Sequence, residues 1–196
     1  MNETTEHWRF QGGWLSVARC VASPNCDQRP AGMFPELIVI HNISLPPGVF
    51  GGDEVVALFT NSLDNTTHPY LADLQGVRVS AHFLIRRDGE LLQFVPVDRR
   101  AWHAGASCWR GRERCNDFSI GIELEGTDIT PYTDRQYDVL AQLVAQLRSA
   151  HPGIAEDALT GHSDIAPGRK TDPGAAFDWA RLRGLLLNIT QGGVFR

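Results

Sequence analysis

The stretch from Gly161 to Gly174 gathers a histidine, a lysine and an aspartate (His162, Lys170 and Asp172) within a frame of glycine and proline. Pro167 and Pro173 lack a backbone donor and push the residue before each toward extended geometry, so the frame reads as a rigid loop and not a helix interior. An imidazole, an ammonium and a carboxylate held in such a loop are groups that bind metals and move protons. A second imidazole lies upstream, where His41 closes the apolar run Leu37-Ile38-Val39-Ile40. Two imidazoles and one carboxylate are a recurrent ligand set for catalytic zinc, with the fourth position left to water. Calcium or magnesium would want mostly oxygen ligands. His41, His162 and Asp172 are therefore the candidate metal ligands, and one Zn2+ per chain is the expected cofactor.

Hydrolysis at such a metal needs a proton carrier and a group that stabilises negative charge. Phe118 to Glu125 alternates as a strand, with Ile120, Ile122 and Leu124 on one face and Ser119, Gly121, Glu123 and Glu125 on the other. Glu123, beside small neighbours, is the candidate base, because a carboxylate in a partly apolar cleft exchanges protons nearer neutral pH. Glu125 competes from the same face. Lys170, two residues from a proposed ligand, can meet an oxygen that becomes negative. His103, next to Trp102, is an alternative ligand to Asp172, or else packs substrate or supports a ligand from behind. His82 alternates with apolar residues and reads as structural.

These groups need a scaffold, and the pattern predicts an α/β domain with a central mixed sheet flanked by helices. Glu36 to His41 reads as a buried strand. Val79 to Ile85 and Glu90 to Val95 form a hairpin about Arg87-Asp88-Gly89, where Asp-Gly supplies positive φ. The spacing predicts a short helix over 53–60 and a clear one over 134–149, opened by the capping-box pair Thr133 and Gln136 and closed at His151-Pro152-Gly153. A last helix runs from Asp178 to about Leu187. Asn61 to Gly76 reads as a polar connection, and 98–117 as a long irregular segment crossing the active face.

With 196 residues, 42% of them hydrophobic, the chain reads as one domain over 1–196 with a core of about 13–187, a polar N-terminal tail and a short C-terminal tail. A net charge of −5 speaks against a nucleic-acid binder. The local clusters Arg86-Arg87, Arg99-Arg100 and Arg110, Arg112, Arg114 read equally as a solvated surface or as a rim for a small anion. No apolar stretch approaches the roughly 20 residues that span a bilayer. The N-terminus lacks a basic start and an apolar core, so the expected location is the cytoplasm if Met1 opens the gene product. Cys20, Cys26, Cys108 and Cys115 do not show zinc-knuckle spacing and are expected as free thiols.

Five longer motifs resemble the zinc-dependent N-acetylmuramoyl-L-alanine amidases, which share their fold with peptidoglycan-recognition proteins. They are Val39 to Gly48, Arg78 to His82, Arg99 to Gly105, Gly111 to Gly126 and Gly161 to Gly174. The similarity runs from Gly13 to about Arg183 and is closest to the cytoplasmic branch acting on 1,6-anhydro-N-acetylmuramoyl peptides. The resemblance implies zinc on His41, His162 and Asp172, Glu123 activating the attacking water, and Lys170 stabilising the oxyanion. It implies cleavage between the lactyl group of anhydro-muramic acid and L-alanine during recycling of wall fragments, which lowers the signal for β-lactamase induction. A stem peptide of that kind carries carboxylates, which Arg78 and Arg114 are expected to bind in bidentate fashion, with Asn42 and Trp102 contacting stem or sugar. A muropeptide is the expected partner, with no nucleic acid or membrane, and a monomer is expected. The rival readings are a peptidoglycan-binding module without catalysis and a zinc deacetylase or other peptidase.

Overall fold

The computed structural model describes residues 8–192, so most of the polar N-terminal tail and the last four residues lie outside the described part. Six strands make the main sheet: β1 (Arg19–Cys20), β2 (Leu37–Ile43), β3 (Phe83–Ile85), β4 (Leu91–Gln93), β5 (Ser119–Glu125) and β6 (Leu159–Gly161). Their order is β6-β2-β5-β3-β4-β1. All neighbours are parallel except the hairpin β3–β4, which makes the expected mixed sheet. Gly89 turns that hairpin at φ +91°, a conformation that L side chains resist.

Both faces of the sheet are covered, which is why β2 and β5 are buried along nearly their whole length. Five helices supply the cover: α1 (Glu54–Phe59), α2 (Pro69–Ala72), α3 (Asp134–Ala150), α4 (His162–Ile165) and α5 (Trp179–Thr190). Leu140, Leu143, Val144 and Leu147 of α3 and Leu182 and Leu186 of α5 join Ile38, Ile40, Phe83, Ile85, Ile120, Ile122 and Leu124 in the larger core. Alternation sends Leu84 and Leu92 the other way, into a smaller core with Val55, Leu58 and Phe59 of α1 and Leu71 of α2. Thr133 and Gln136 make both bonds of the capping box that starts α3.

Several segments carry more order than the pattern predicts. The helix α5 continues to Thr190, three residues past the expected end. Pro69 at the first turn and His68 as cap make one helical turn inside the polar connection, too short for periodicity to reveal. Residues 98–117 are not irregular: Arg99–Ala101 pairs with Cys26–Gln28, Cys108–Trp109 pairs with Arg112–Glu113, and Cys115–Asp117 forms a 3-10 turn. The Gly/Pro loop contains α4, which completes its single turn before Pro167.

Parallel packing sets up the site. In the β2–β5 register Glu123 lies opposite His41, so the two side chains share a face. Strand β6 ends at Gly161, opposite Ile40, which delivers His162 to the same carboxyl end of the sheet. Ligand crevices in open α/β sheets form outside the carboxyl ends of parallel strands.

Candidate active site

His41 Nδ1, His162 Nδ1 and Asp172 Oδ2 form a triangle with every side 3.0 Å. Among the described residues this is the one histidine, cysteine and carboxylate group close enough to hold a metal. Zinc bonds of about 2.0–2.1 Å in tetrahedral geometry set ligand atoms roughly 3.3 Å apart, so the triangle fits such an ion closely. The donor chemistry agrees, with two imidazole nitrogens and one carboxylate oxygen. Both histidines are buried, and the Asp172 side chain keeps 14% exposure. Ser163 N donates to Asp172 O at 2.9 Å, holding the two candidate loop ligands to one another.

The imidazoles are gripped from behind. His162 Nε2 lies 3.2 Å from Ala104 O, a carbonyl that also accepts from the Arg169 guanidinium at 2.6 Å. His41 Nε2 lies 2.9 Å from His103 Nδ1. His103 is therefore brought to the site, but behind His41 and outside the triangle that Asp172 completes. His82 takes the structural part expected of it: Gly121 N donates to its Nδ1 at 3.0 Å, and its Nε2 lies 3.1 Å from Arg99 O.

The triangle opens into a cavity of about 700 Å³, also lined by Asn42, Trp102, His103, Glu123 and Lys170. Glu123 is 8% exposed, and its Oε2 has no hydrogen-bond partner. A buried oxygen without a partner is costly in a purely structural carboxylate and useful in one that exchanges protons. Burial pushes the Glu123 carboxyl well above the usual range, the Asp172 carboxylate adds to this, and the Lys170 ammonium pulls it back. Burial lowers the His41 imidazole to about 4, against the hydrogen bond to Asp172. Burial also takes His103 well below its ordinary value, with His41 and His82 adding to the effect, and takes His82 to about 3 with help from the Arg29 charge. Asp172 is raised by burial, yet the hydrogen bonds and charges of His162 and His41 hold it below the usual carboxylate range.

Glu125 is not free to compete. Gly51 N donates to its Oε1 at 2.6 Å and Arg87 N to its Oε2 at 3.0 Å, so the carboxylate ties two loops to the sheet. Asn42 lines the cavity while its Nδ2 donates to Asp128 Oδ1 at 2.8 Å. Arg78 and Arg114 are exposed and do not line the cavity, and Arg114 pairs with Asp117 at 3.1 Å. The other arginine clusters are largely consumed internally. Arg86 pairs with Asp53 and Glu90, Arg100 with Asp27 and Asp117, Arg110 with Asp157, and Arg112 with Glu36. Sequence reasoning missed Arg169, whose contacts with Ala104 O and Ala106 O join the two site loops. Its position beside Lys170 was the available signal.

Residues 31–175 match the family model described as N-acetylmuramoyl-L-alanine amidase. The chain is 61% identical over 181 residues to the 1,6-anhydro-N-acetylmuramyl-L-alanine amidase AmpD of Escherichia coli (strain K12), covering 92% of this chain and 98% of that protein. It superposes on the crystal structure of a selenomethionine derivative of AmpD with a TM-score of 0.89 at 59% identity, covering 91% of this chain and 99% of the other. A more distant likeness is to the N-acetylmuramyl-L-alanine amidase AmiD from E. coli, solved with the substrate anhydro-N-acetylmuramic acid-L-Ala-D-γ-Glu-L-Lys (TM-score 0.57, 30% identity, covering 81% of this chain and 60% of that one).

Proposed function

The chain belongs to the N-acetylmuramoyl-L-alanine amidase family, and from that premise we propose that it is a zinc enzyme of cytoplasmic wall recycling, acting as one domain. Its substrate is a 1,6-anhydro-N-acetylmuramoyl peptide, and the bond cut joins the lactyl carbonyl to the L-alanine nitrogen. The observation that carries this reading is the 3.0 Å ligand triangle opening on a cavity that also holds the unpartnered Glu123 oxygen. The likeness to AmpD and to the substrate-bound AmiD supports the choice of substrate.

His41 Nδ1, His162 Nδ1 and Asp172 Oδ2 would hold the ion. Zinc supplies, when bound, a lowered pKa for water at its open position, toward about 7, and charge that polarises an amide carbonyl. Glu123 takes a proton from the attacking water and passes it to the departing L-alanine nitrogen. Its desolvated setting suits both halves of that exchange, because a raised pKa makes the acid form available for the second step. The Lys170 ammonium hydrogen-bonds the carbonyl oxygen as charge develops there. The balance is one water consumed, with a lactyl carboxylate and a free amine released. Asn42 and Trp102 position stem or sugar from the cavity wall, while Arg78 and Arg114 act on stem carboxylates from outside that wall.

The test is zinc analysis of the purified protein together with mass spectrometry of products from anhydro-muramyl-tripeptide. Expected products are anhydro-muramic acid sugar and a tripeptide with a free L-alanine amine. Release of acetate instead would favour the deacetylase reading. Glu123→Ala is expected to keep its zinc and lose about 10²–10⁴ in kcat. Hydrolysis at the wild-type rate by that variant would remove Glu123 from the mechanism.

A further inference from the structure

His41 presents Nδ1 to both other ligands at 3.0 Å, so in the loaded protein its remaining proton sits on Nε2. That nitrogen faces His103 Nδ1 at 2.9 Å, which must then accept. A neutral imidazole with Nδ1 accepting carries its proton on Nε2, and His103 Nε2 faces Ser119 Oγ at 3.1 Å, an atom with lone pairs to receive it. One proton assignment satisfies all three contacts. We propose that His103 is a positioning residue that orients His41 and fixes which of its nitrogens meets the metal, through the chain His41 Nε2–H to His103 Nδ1 and His103 Nε2–H to Ser119 Oγ. This deepens the zinc-site reading and rests on it.

Strand β5 is built to seat this ring. A Cβ on Gly121 would lie 2.6 Å from His103 Nδ1 and 2.7 Å from Cδ2, so no larger residue fits beneath the imidazole. Ser119, Gly121 and Glu123 occupy alternate positions of one face: the first receives the His103 proton, the second makes room for the ring, and the third enters the cavity. The backbone before the ring is fixed too, because His103 N and Ala104 N donate to Asn116 Oδ1 at 3.2 and 2.8 Å. His103 lines the cavity, but both ring nitrogens are engaged, so neither is left for substrate. The two imidazole ligands thus have different supports, a backbone carbonyl for His162 and a second histidine for His41. Supports of this kind fix ring orientation and raise ligand basicity.

The test measures zinc affinity by chelator competition, and the visible spectrum of the cobalt-substituted protein, for wild type, His103→Leu and His103→Asn. The asparagine Oδ1 falls near the place of the lost Nδ1 and keeps an acceptor there. His103→Leu is expected to weaken zinc about 10- to 100-fold and to shift the cobalt bands, whereas His103→Asn stays close to wild type in both. A His103→Leu protein that binds zinc as tightly as wild type overturns the proposal. Equal weakening in both variants also overturns it, because packing alone would then be at work. Nitrogen-15 NMR of the zinc-loaded wild type gives a reading that needs no variant: His41 and His103 should each carry the proton on Nε2, and a proton on His103 Nδ1 refutes the chain. Failure of the wild type to bind one zinc per chain is a separate outcome that overturns the zinc-site reading and this inference together.

Discussion

Mild acid should destabilise the metal-free protein steeply, between pH 7 and 5. His41 and His82 are buried, and burial lowers them to about 4 and about 3 from an ordinary value of 6.5. In the unfolded chain both take up protons as pH falls through 6.5, while in the folded protein they stay neutral. Stability is therefore fully present above pH 6.5 and is lost below it, until each folded group titrates. At pH 5 each imidazole costs roughly 2 kcal/mol by this linkage, or about 4 kcal/mol for the pair, against a total stability of about 5–15 kcal/mol. His103 shifts in the same direction and adds to the loss. Glu123 opposes it, because a carboxyl raised in the folded state gains relative stability as pH falls toward its unfolded value. Glu123→Gln removes that opposing contribution and isolates the histidines. The assay is urea unfolding of Glu123→Gln in excess chelator at pH 7, 6 and 5. The expected result is a drop of about 4 kcal/mol or more between pH 7 and 5, steepest below 6. A flat profile, or a His82 ring resonance titrating near 6.5, would refute the burial argument.

Three further outcomes are expected. Gly121→Ala forces the His103 ring off β5 and should cost about 1–3 kcal/mol in thermal or urea unfolding, together with weaker zinc retention during dialysis. Glu125→Gln loses one of its backbone N–H bonds and should cost about 1 kcal/mol while kcat per bound zinc is maintained, in contrast to Glu123→Gln, which should be nearly inactive in the same assay. Lys170→Ala should lower kcat by about 10²–10³ with little change in KM, whereas Arg78→Ala and Arg114→Ala should act mainly on KM for substrates with a charged stem; a kcat effect confined to the arginines would reverse these assignments.

Legibility followed the length scale of the physical signal. The candidate ligand triad could be read because imidazole and carboxylate chemistry is stated by residue type, and the Pro/Gly frame marks a loop whatever its path. Strand β5 could be read because apolar residues alternate with small or acidic ones over seven positions, although both of its faces are buried, and α3 because its cap and stripe reinforce one another. The short elements were hidden. A single turn such as α4, or a two-residue strand such as β1, holds barely one period of its pattern and exists because tertiary neighbours fix it. Small neighbours favour Glu123 over Glu125, but as residues of one face the two remain competitors in the sequence. What separates them is the arrival of Gly51 N and Arg87 N at one carboxylate and of no donor at the Oε2 of the other, which depends on loops distant in the chain. The arginine clusters read equally as surface or rim for a related reason: their acidic partners, such as Asp27 for Arg100 and Glu36 for Arg112, are remote in sequence.

The hydrogen bond from Ser163 N to Asp172 O has a consequence for how the proposed zinc would be captured. By clasping its own two ends, the segment from His162 to Asp172 becomes a small cyclic chelator, with two donor atoms already set 3.0 Å apart. The sheet contributes a third donor, His41 Nδ1, on a buried ring whose Nε2 already meets His103 Nδ1. Little chain entropy remains to be lost on loading, so zinc uptake should proceed at nearly the rate of ligand exchange on the ion itself, with no slower refolding phase behind it.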